Sequence, residues 1–458
     1  MTEPALRVLA ACFTVFAYAA LCAAICWRRR RQRAASGRMA RALAGTGGGA
    51  DPTLVLYASQ TGQAEALAWQ TGRWLHAAGT PARVMPLNEV DVDLLRRTPK
   101  ALFIASTYGE GDAPDGASVF AERVMGAKAE LSALRYAVLA LGDRQYANFC
   151  RFGRLLDEWL HAAGATRSFE RIEVDNAEPA TLAAWQAQCG GAPADDATDP
   201  SEAAAPVAAT WRLASRTLLN PGSAGAPVYR LAFAPIGAAG ADWESGDIAR
   251  LALASDPGRP RDYSIASIPA DGALELLVRQ ELHPDGRLGA ASGLLTSTLR
   301  LGDTVRLQLR AHRNFRLGDN RQRPLLLIGN GTGLAGLRGH LRARAAQGRH
   351  HNWLVFGERN WQHDFLCREE IEAWQQAGVL QRVDMVFSRD QAERLHVQHR
   401  LLQLHDEVRA WIGRGAAIYV CGSLQGMASG VDAALRQIVG EAPLRELAAG
   451  GRYRRDVY

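Results

Sequence analysis

Apolar runs alternate with amphipathic stretches in the part of the chain between residues 51 and 190. Helical segments such as Ala64 to Ala78 separate the apolar runs. Strand and helix in alternation are typical of a parallel, doubly wound sheet, so we predict a doubly wound α/β domain over residues 51–190. Its predicted strands are Thr53–Ala58, Arg83–Leu87, Ala101–Ser106, Tyr136–Leu141 and Arg171–Val174.

The pattern changes twice more along the chain. Residues 191–210 are rich in Ala, Asp, Pro and Gly and predict a linker. Residues 211–320 hold short alternating runs with frequent turns, which indicate a small antiparallel barrel. Residues 321–458 return to the α/β pattern of a Rossmann-like domain. The strands predicted after the linker are Val228–Phe233, Ile248–Leu253, Leu274–Val278, Val305–Leu309 and Pro324–Ile328.

The amino terminus contains a separate apolar run, Val8 to Trp27, of 20 residues without a charge. Such a run can span a bilayer core of about 30 Å. Five arginines follow within Arg28 to Arg33, against the single Arg7 before it. A cleaved signal peptide is the alternative, but its charges should precede the apolar run. We therefore predict a transmembrane helix and basic tether in residues 1–50, a single-pass inner-membrane location and cytoplasmic catalytic domains.

Composition narrows the function classes. The chain has 458 residues, which predicts two to three domains, and 48% apolar with 22% charged residues is typical of a folded protein. Removing the seven arginines between residues 28 and 41 from the formal net charge of +6 leaves −1, so the folded part is not a nucleic-acid binder. Seven cysteines without a CxxC pair exclude a disulfide framework and an iron–sulfur cluster.

Three loops that follow predicted strands carry candidate chemistry. Ser59-Gln-Thr-Gly-Gln-Ala64 leads into a helix, and its hydroxyls and free N–H groups suit a phosphate. Ser106-Thr-Tyr-Gly-Glu-Gly-Asp112 offers Tyr108, and Leu141-Gly-Asp-Arg-Gln-Tyr-Ala-Asn-Phe-Cys150 offers Tyr146. Ordinary turns are the alternative for any one loop. Because all three lie at the same sheet edge, the two tyrosines can sandwich a planar ring there.

These loops resemble the three FMN loops of the flavodoxin-like domain of the diflavin reductases, a family that includes NADPH–cytochrome reductases and the flavoprotein subunit of NADPH sulfite reductase. The resemblance implies that residues 51–190 form a flavodoxin-like domain. The resemblance implies that the first loop holds the FMN phosphate and that the two tyrosines flank the ring. The implied FMN site is Ser59, Gln60, Thr61, Gly62, Gln63, Ala64, Ser106, Thr107, Tyr108, Gly109, Leu141, Gly142, Asp143, Tyr146, Asn148, Phe149 and Cys150.

The resemblance continues in the predicted barrel. Arg261-Asp-Tyr-Ser264 matches the R-x-Y-S signature for FAD, although such a tetrapeptide is common by chance. By the resemblance Arg261 neutralises the pyrophosphate, Tyr263 packs on the flavin and Ser264 hydrogen-bonds near the reactive nitrogen. The implied FAD site is Arg261, Asp262, Tyr263, Ser264, Gly289, Ala290, Ala291, Ser292 and Tyr458.

One departure concerns the segment before this signature. Longer family members insert a helical connecting domain there. In this chain Asp247 and Arg261 are only 14 residues apart, so we predict that the connecting domain is absent.

A glycine-rich loop, Gly329-Asn-Gly-Thr-Gly-Leu-Ala-Gly336, follows a predicted strand and precedes a helix. In that context the backbone can approach a pyrophosphate. Ser388-Arg389 and Arg394 to Gln398 resemble the segment that grips the 2′-phosphate of NADPH, and arginines suit a dianion. The implied NADP site is Gly331, Thr332, Gly333, Ser388, Arg389, Arg394, His396 and Gln398. The pair His396 and His399 lacks further ligands, so no metal site is predicted.

The end of the chain resembles the sulfite reductase flavoprotein terminus, and Tyr419-Val-Cys-Gly-Ser423 resembles the family's C-G-D segment with Ser423 in place of the acid. The resemblance implies Ser264, Cys421 and Asp456 as catalytic residues, and Tyr458 as a cover for the FAD ring. For Cys421 the alternative is a small buried cysteine at a strand end.

The motifs together predict an NADPH-dependent diflavin oxidoreductase with FMN, FAD and NADPH as cofactors. Electrons pass from NADPH through FAD and FMN to a one-electron acceptor with haem or an iron–sulfur centre, which the predicted anchor allows to be a membrane protein. Two alternatives remain: the flavoprotein component of an assimilatory sulfite reductase, and a non-catalytic flavin-binding redox sensor or docking subunit.

Overall fold

Three sheets follow one another along the chain in the computed structural model. The structure describes residues 51–59, 62–107, 111–142, 144, 148–175, 178–190, 208–237, 242–253 and 256–458. Two parallel sheets flank one antiparallel sheet, so the predicted α/β multidomain architecture is confirmed for these residues.

The first sheet is parallel throughout, with the strand order β2-β1-β3-β4-β5, and β6 also pairs with β4. Its strands are β1 (Thr53–Ala58), β2 (Ala82–Pro86), β3 (Lys100–Ser106), β4 (Arg135–Gly142), β5 (Thr166–Arg167) and β6 (Ile172–Asp175). Its helices are α1 (Gln63–Ala77), α2 (Val92–Arg97), α3 (Arg151–Ala162) and α4 (Pro179–Gln188). On α3, Phe152, Leu156 and Leu160 recur every four residues and are buried against the sheet.

The second sheet is antiparallel, with the order β10-β9-β12-β7-β8-β11. A bridge between Ile265 and Leu276 joins the chain after β10 to β11 and closes the barrel. Trp211 and Phe233 fill its core. The strands are β7 (Ala209–Leu218), β8 (Val228–Pro235), β9 (Ile248–Leu253), β10 (Asp256–Ser264), β11 (Leu274–Arg279) and β12 (Thr304–Arg310), and the short helix α5 is Ala290–Gly293. The described residues between Trp243 and Arg261 contain no helix.

The third sheet is parallel, with the order β15-β14-β13-β16-β17. Successive residues of β13 face opposite sides, so that Leu327 and Ile328 belong to different core clusters. The strands are β13 (Leu325–Asn330), β14 (Asn352–Glu358), β15 (Arg382–Phe387), β16 (Ala417–Gly422) and β17 (Tyr453–Val457). The helices are α6 (Leu334–Ala346), α7 (Trp361–Asp364), α8 (Arg368–Gln376), α9 (Val397–Gln403), α10 (His405–Gly413), α11 (Ser429–Val439) and α12 (Glu441–Ala449).

The barrel and the third sheet share one core. Val228 and Leu277 of the barrel pack in the same cluster as Leu327 and Leu337. At this junction the buried Arg338 forms ion pairs of 2.5 Å with both Glu275 and Glu370. The two hydrophobic clusters of the first sheet, by contrast, contain only residues between 54 and 189.

The predicted anchor needs a correction. Val8 to Trp27 lies outside the described residues. Within the described part, no helix combines the length and the apolar character needed to cross a bilayer. The predicted single-pass inner-membrane location rested on that one apolar run and is withdrawn, and the suggested membrane partner loses its support with it.

Candidate functional site

The first phosphate loop joins β1 to α1. Gly62 precedes the helix with a left-handed φ of 86°, and the first helical N–H groups have no partner further back in the helix. Ser59 is buried, and its Oγ has no hydrogen-bond partner in the described part of the chain. An unsatisfied hydroxyl beside a helix start fits a phosphate oxygen. Gln63 and Ala64 open the helix, whereas Gln60 and Thr61 lie outside the described residues.

The second and third loops meet at the same edge of the sheet. Ser106 ends β3, and the Thr107 N–H donates to the Leu141 carbonyl at 2.8 Å. The Thr107 Oγ1 accepts a hydrogen bond from the Phe152 N–H at 3.2 Å. Tyr108, Gly109, Asp143 and Tyr146 lie outside the described residues, so the predicted ring sandwich stays a prediction.

The third loop contains both an aromatic ring near a guanidinium group and a buried cysteine. Gly142 ends β4, and after Asn148 the ring of Phe149 lies 5.2 Å from the Arg144 guanidinium carbon. The Cys150 side chain is buried and donates to the Ala140 carbonyl at 3.3 Å. Burial raises the pKa of Cys150 to about 12, so its thiol stays neutral and packs in the core.

The predicted FAD motif lies on β10, where Ser264 pairs with Ile248 of β9. Tyr263 is half-buried, and burial raises its pKa to about 12. The Asp262 carboxylate accepts hydrogen bonds of 2.7 and 2.8 Å from Arg250 and one of 3.1 Å from Arg310. Its side chain is therefore engaged within the barrel, and the implied contact of Asp262 with FAD stays a prediction.

The second predicted FAD segment forms a helix start. Gly289 precedes α5, which contains Ala290, Ala291 and Ser292. The Ser292 Oγ accepts a hydrogen bond from the Glu281 N–H at 3.1 Å. The N–H groups at this start suit a phosphate, although α5 is only one turn long.

The three residues implied as catalytic come together where the barrel meets the third sheet. The Ser264 Oγ donates to the Asp456 Oδ2 at 2.7 Å, and the Cys421 Sγ lies 3.7 Å from the same oxygen. Parallel pairing of β16 with β17 places Cys421 directly beside Asp456. Burial, and then the charge of Asp456, raise the pKa of Cys421 well above its ordinary value, so the group is a thiol.

His312 is a fourth residue of this cluster and was not predicted from the sequence. The His312 Nδ1 lies 3.8 Å from the Asp456 Oδ1, and neither ring nitrogen has a hydrogen-bond partner among the described residues. Burial lowers the pKa of His312 despite the nearby carboxylates of Asp456 and Asp247. No local motif marks this histidine, which follows the end of β12 by two residues.

A cavity of about 560 Å³ opens at the carboxyl edge of the third sheet. Its lining includes every implied NADP residue except Gly333: Gly331, Thr332, Ser388, Arg389, Arg394, His396 and Gln398. Gly333 is buried, and a Cβ there would collide with the Cys421 carbonyl oxygen. It therefore lets the helix start pack against β16 and does not contact the cavity.

Ser423, which stands in place of the family's acid, contacts Asn330 of the glycine-rich loop. The Ser423 N–H donates to the Asn330 Oδ1 at 2.9 Å, so Asn330 holds the loop after β16. Tyr458 lies at the cavity wall, half exposed, with its hydroxyl 3.3 Å from the Thr332 Oγ1. Two more cavity residues that the sequence analysis missed are Arg279 and Glu358, which form an ion pair of 3.5 Å. Glu358 ends the strand next to the glycine-loop strand, a position that an acid often occupies in dinucleotide folds.

The first sheet docks on the rest through polar contacts. The Asn314 Nδ2 donates to the Ser59 carbonyl at 3.1 Å, and Arg313 pairs with Glu65 at 3.3 Å. Arg445 of α12 also pairs with Glu122. The phosphate loop thus lies against the segment that carries His312.

Family comparisons agree with this architecture. The flavodoxin model matches residues 55–185, and the oxidoreductase NAD-binding domain model matches residues 327–433. The chain is similar to the protein named sulfite reductase [NADPH] flavoprotein alpha-component from Vibrio cholerae serotype O1, with 28% identity over 88% of this chain and 87% of the relative. The proteins of the same name from Bacillus subtilis and Neisseria meningitidis serogroup B are 27% and 29% identical, each over 88% of this chain and 89% of the relative.

These comparisons also decide two predictions. They contradict the predicted inner-membrane location, which is wrong: the relatives bear the name of a flavoprotein component, and no described helix could cross a membrane. They confirm the predicted enzyme class and cofactor set. The findings support the diflavin reductase family, and the chain is an NADPH-dependent flavoprotein oxidoreductase that uses FMN, FAD and NADPH.

Proposed function

We propose that the hydride centre of this oxidoreductase is the cluster of Ser264, Cys421 and Asp456, and that its electrons leave through the first sheet to a haem protein. The observation that carries the proposal is that Ser264 and Cys421 both approach the same carboxylate oxygen of Asp456, at distances of 2.7 and 3.7 Å. The three residues come from the barrel and from two adjacent strands of the third sheet. Asp456 of this cluster lies on β17, and Tyr458 at the cavity wall follows directly after that strand.

Each member of the cluster has a distinct task. The Ser264 hydroxyl donates to the carboxylate and so leaves its own lone pairs for a hydrogen bond from a reduced ring nitrogen. The neutral Cys421 thiol adds no charge beside the carboxylate and fills the space between β16 and α6. NADPH gives up two electrons together, and bound FAD and FMN supply the chemistry that separates them into single electrons.

The cavity residues hold the dinucleotide. Arg389 and Arg394 supply positive charge for the 2′-phosphate that distinguishes NADPH from NADH. Tyr458 stands at the chain end beside Thr332, where the nicotinamide must pass it to approach Ser264. Displacement of this ring couples entry of the nicotinamide to the hydride centre.

The first sheet takes the electrons without a connecting domain. Strands β9 and β10 are direct neighbours, with no helix in the described residues between Trp243 and Arg261. The alignments with the relatives extend over 537 residues, more than the 458 of this chain, so the relatives contain residues that this chain lacks. Docking of the Ser59 loop on Asn314 supports direct transfer between the two flavin sites.

The acceptor is proposed from the relatives' name and from the chemistry. A sulfite reductase component would deliver electrons to a sulfite-reducing haemoprotein, and that acceptor is our first choice. The tether, the FMN site residues and the domain limits at residues 190, 210 and 320 remain predictions from the sequence. A redox sensor or docking subunit is the alternative without turnover.

Anaerobic reduction tests the proposal. Purified full chain should release FMN and FAD in near-equal amounts, and NADPH should bleach the flavin absorbance. Cytochrome c, ferricyanide and a sulfite reductase haemoprotein are then offered as acceptors. Flavin reduction without transfer to any acceptor would favour the sensor; FAD without FMN would exclude the diflavin route.

The Arg389→Ala variant tests the cavity. Loss of a charge-assisted hydrogen bond should weaken NADPH about ten- to hundredfold and leave NADH nearly unchanged. Arg96→Ala is the matched control, because Arg96 is half exposed on α2 of the first sheet and pairs with Asp93, away from the cavity. Equal loss for both nucleotides would remove the 2′-phosphate role.

A further inference from the structure

Arg279 and Glu358 meet across the junction between the barrel and the third sheet. Arg279 ends β11, Glu358 ends β14, and the Arg279 Nη2 lies 3.5 Å from the Glu358 Oε1. The Glu358 side chain is only 5% exposed. Its Oε2 accepts a hydrogen bond from the Arg359 N–H, but its Oε1 has no hydrogen-bond partner among the described residues. A buried carboxylate oxygen without a hydrogen bond among the described residues therefore lies at the cavity, 3.5 Å from the Arg279 guanidinium.

The position of this pair relative to the glycine-rich loop is informative. Gly331 is the second glycine of the loop Gly329 to Gly336 and has a φ of 57°. A Cβ placed on Gly331 would lie 3.0 Å from the Arg279 Nη2 and 3.8 Å from the Glu358 Oε1. The missing side chain at this glycine is what allows a backbone to approach a pyrophosphate. Arg279 and Glu358 therefore border the place where the pyrophosphate belongs.

Glu358 differs in charge from the other residues that line this cavity. It is the one acid among the described lining residues, and the groups that act on its charge are Arg279, Arg359 and the neighbouring Asp364. The other ionisable residues that line the same cavity are Arg389, Arg394, His396 and Tyr458. Burial raises the pKa of Glu358 to about 7, Arg279 opposes that shift and Asp364 adds to it. Near neutral pH the carboxyl group is thus poised between its two protonation states.

A bound pyrophosphate would change the charge around Glu358 and Arg279. It brings two negative charges beside an already buried carboxylate and competes for the same guanidinium, and arginine binds phosphates in bidentate fashion. A carboxylate that loses its counter-ion while buried favours its neutral form.

We propose that the pyrophosphate of the dinucleotide takes over Arg279 and that Glu358 takes up one proton from solvent in the same binding step. The proposal rests on the proposed nucleotide cavity and deepens it. The protonated carboxyl can donate a hydrogen bond to a phosphate oxygen, so the acid changes from a repelling to an attracting group. Nucleotide affinity falls by up to about tenfold per pH unit once the pH exceeds that of half-protonation in the free protein.

Calorimetric titration with NADP⁺ measures the proton directly. The full chain with its flavins is titrated at pH 8 in two buffers of different ionisation enthalpy, and the difference in heat gives the number of protons taken up. Wild type should take up close to one proton. Glu358→Gln, which keeps the shape and is already neutral, should take up none and bind NADP⁺ about tenfold more tightly at that pH.

Glu372→Gln is the matched control. Glu372 is an exposed glutamate of α8 that pairs with Arg368 outside the cavity, so this variant should match wild type in both proton uptake and affinity. Arg279→Ala tests the other half of the exchange. Since both nucleotides have a pyrophosphate, it should weaken NADP⁺ and NAD⁺ by similar factors, in contrast to Arg389→Ala.

NAD⁺ separates Glu358 from two other proton acceptors. The 2′-phosphate and His396, whose pKa burial lowers, can also gain protons when NADP⁺ binds. NAD⁺ lacks that phosphate but retains the pyrophosphate, so its binding should still take up the proton in wild type and not in Glu358→Gln.

With NAD⁺ as the ligand, two results would overturn the proposal: no proton uptake by wild type, or proton uptake that persists in Glu358→Gln. Failure of NADP⁺ to bind wild type at all would instead contradict the proposed function. Because binding and proton uptake are separate quantities in the same titration, the two failures are distinguishable.

Discussion

Around Asp456, burial decides how the ionisable side chains behave. His312 and Cys421 both approach this carboxylate, and burial keeps both of them neutral. His340 is also buried, with its Nδ1 3.2 Å from the Ser245 Oγ, and burial lowers its pKa to about 3. The carboxylate of Asp456 therefore faces neutral groups, so a reacting ring beside it meets one fixed negative charge.

Removing the Ser264 hydroxyl should slow hydride transfer. Ser264→Ala deletes the hydrogen bond of 2.7 Å to Asp456, and the loss of one hydrogen bond to a charged group corresponds to about a ten- to hundredfold slower step. Stopped-flow reduction by deuterated NADPH should show a larger isotope effect than in wild type. Ser215→Ala, at an exposed position of β7, is the control. An unchanged rate with unchanged FAD content would exclude Ser264 from the hydride step.

His340 should make the fold sensitive to acid. Its pKa is about 3 in the folded protein and about 6.5 when exposed, so the unfolded chain binds the extra proton between these values. Stability is then lost as the pH falls below about 6.5, by at most about 1.4 kcal/mol per pH unit, and is unaffected above it. In urea unfolding at several pH values, His340→Phe should flatten this slope relative to wild type. His283→Gln, on an exposed loop, should leave the slope as it is, and a slope in His340→Phe equal to that of wild type would contradict the assignment.

At the scale of elements, the glycine-rich loop and β16 depend on close backbone contact. The helix start at Gly333 and the carbonyl of Cys421 are neighbours, and Gly336 of α6 lies against Cys421 and Ser264. Because the glycine-rich loop packs directly on β16, the floor of the nucleotide cavity and the hydride centre hold fixed positions relative to each other. The geometry of one cannot shift without moving the other.

Gly333→Ala should therefore destabilise the third sheet and weaken nucleotide binding. The added methyl group would meet the Cys421 carbonyl, and overpacking of this kind costs about 1–3 kcal/mol. Gly413→Ala is the control, because nothing lies near a Cβ at the end of α10 and alanine is a better helix former. Thermal unfolding and NADP⁺ titration of both variants test this. Equal melting temperatures for wild type and Gly333→Ala would show that the loop can yield.

At the scale of the whole molecule, the barrel and the third sheet behave as one body, and the first sheet is held differently. One hydrophobic cluster runs through the barrel and the third sheet. The described contacts of the first sheet with them include the ion pairs of Arg313 with Glu65 and of Arg445 with Glu122. Polar and partly exposed contacts are weak and salt-sensitive. This suits a domain that must dock to receive electrons and separate to deliver them.

Reversing one charge should open the molecule. Arg313→Glu places like charges at the docking face opposite Glu65, so the radius of gyration from small-angle scattering should rise and transfer to the first sheet's flavin should slow. The double variant Arg313→Glu with Glu65→Arg restores the pairing and should restore both quantities. Hydride transfer from NADPH, which takes place elsewhere, is the internal control. A double variant no better than the single one would mean that the ion pair does not hold the docked state.

Local patterns were sufficient for most elements and for the loops of the site. The predicted Thr53–Ala58 and Ile248–Leu253 coincide with β1 and β9, because apolar periodicity directly reflects which face is buried. Gly331 and Thr332 of the predicted NADP site line the cavity, and a glycine loop between a strand and a helix is a local signal. Their contact with NADP stays a prediction. The predicted anchor shows the opposite case, since an apolar run of sufficient length supported a membrane location that the comparisons contradict.

What the sequence by itself determined is the order of the three sheets and the chemistry of each loop, because strand periodicity and loop composition are properties of neighbouring residues. Only the tertiary structure decided which distant side chains meet. His312 approaches Asp456, and Arg279 approaches Glu358, because barrel and third sheet share a core. Asp262, a motif residue, has its carboxylate turned to Arg250 and Arg310 because β9, β10 and β12 meet in the barrel. Which distant residues meet depends on how the elements pack together. Such contacts do not change the hydrophobic pattern of either local segment, so the sequence pattern cannot show them.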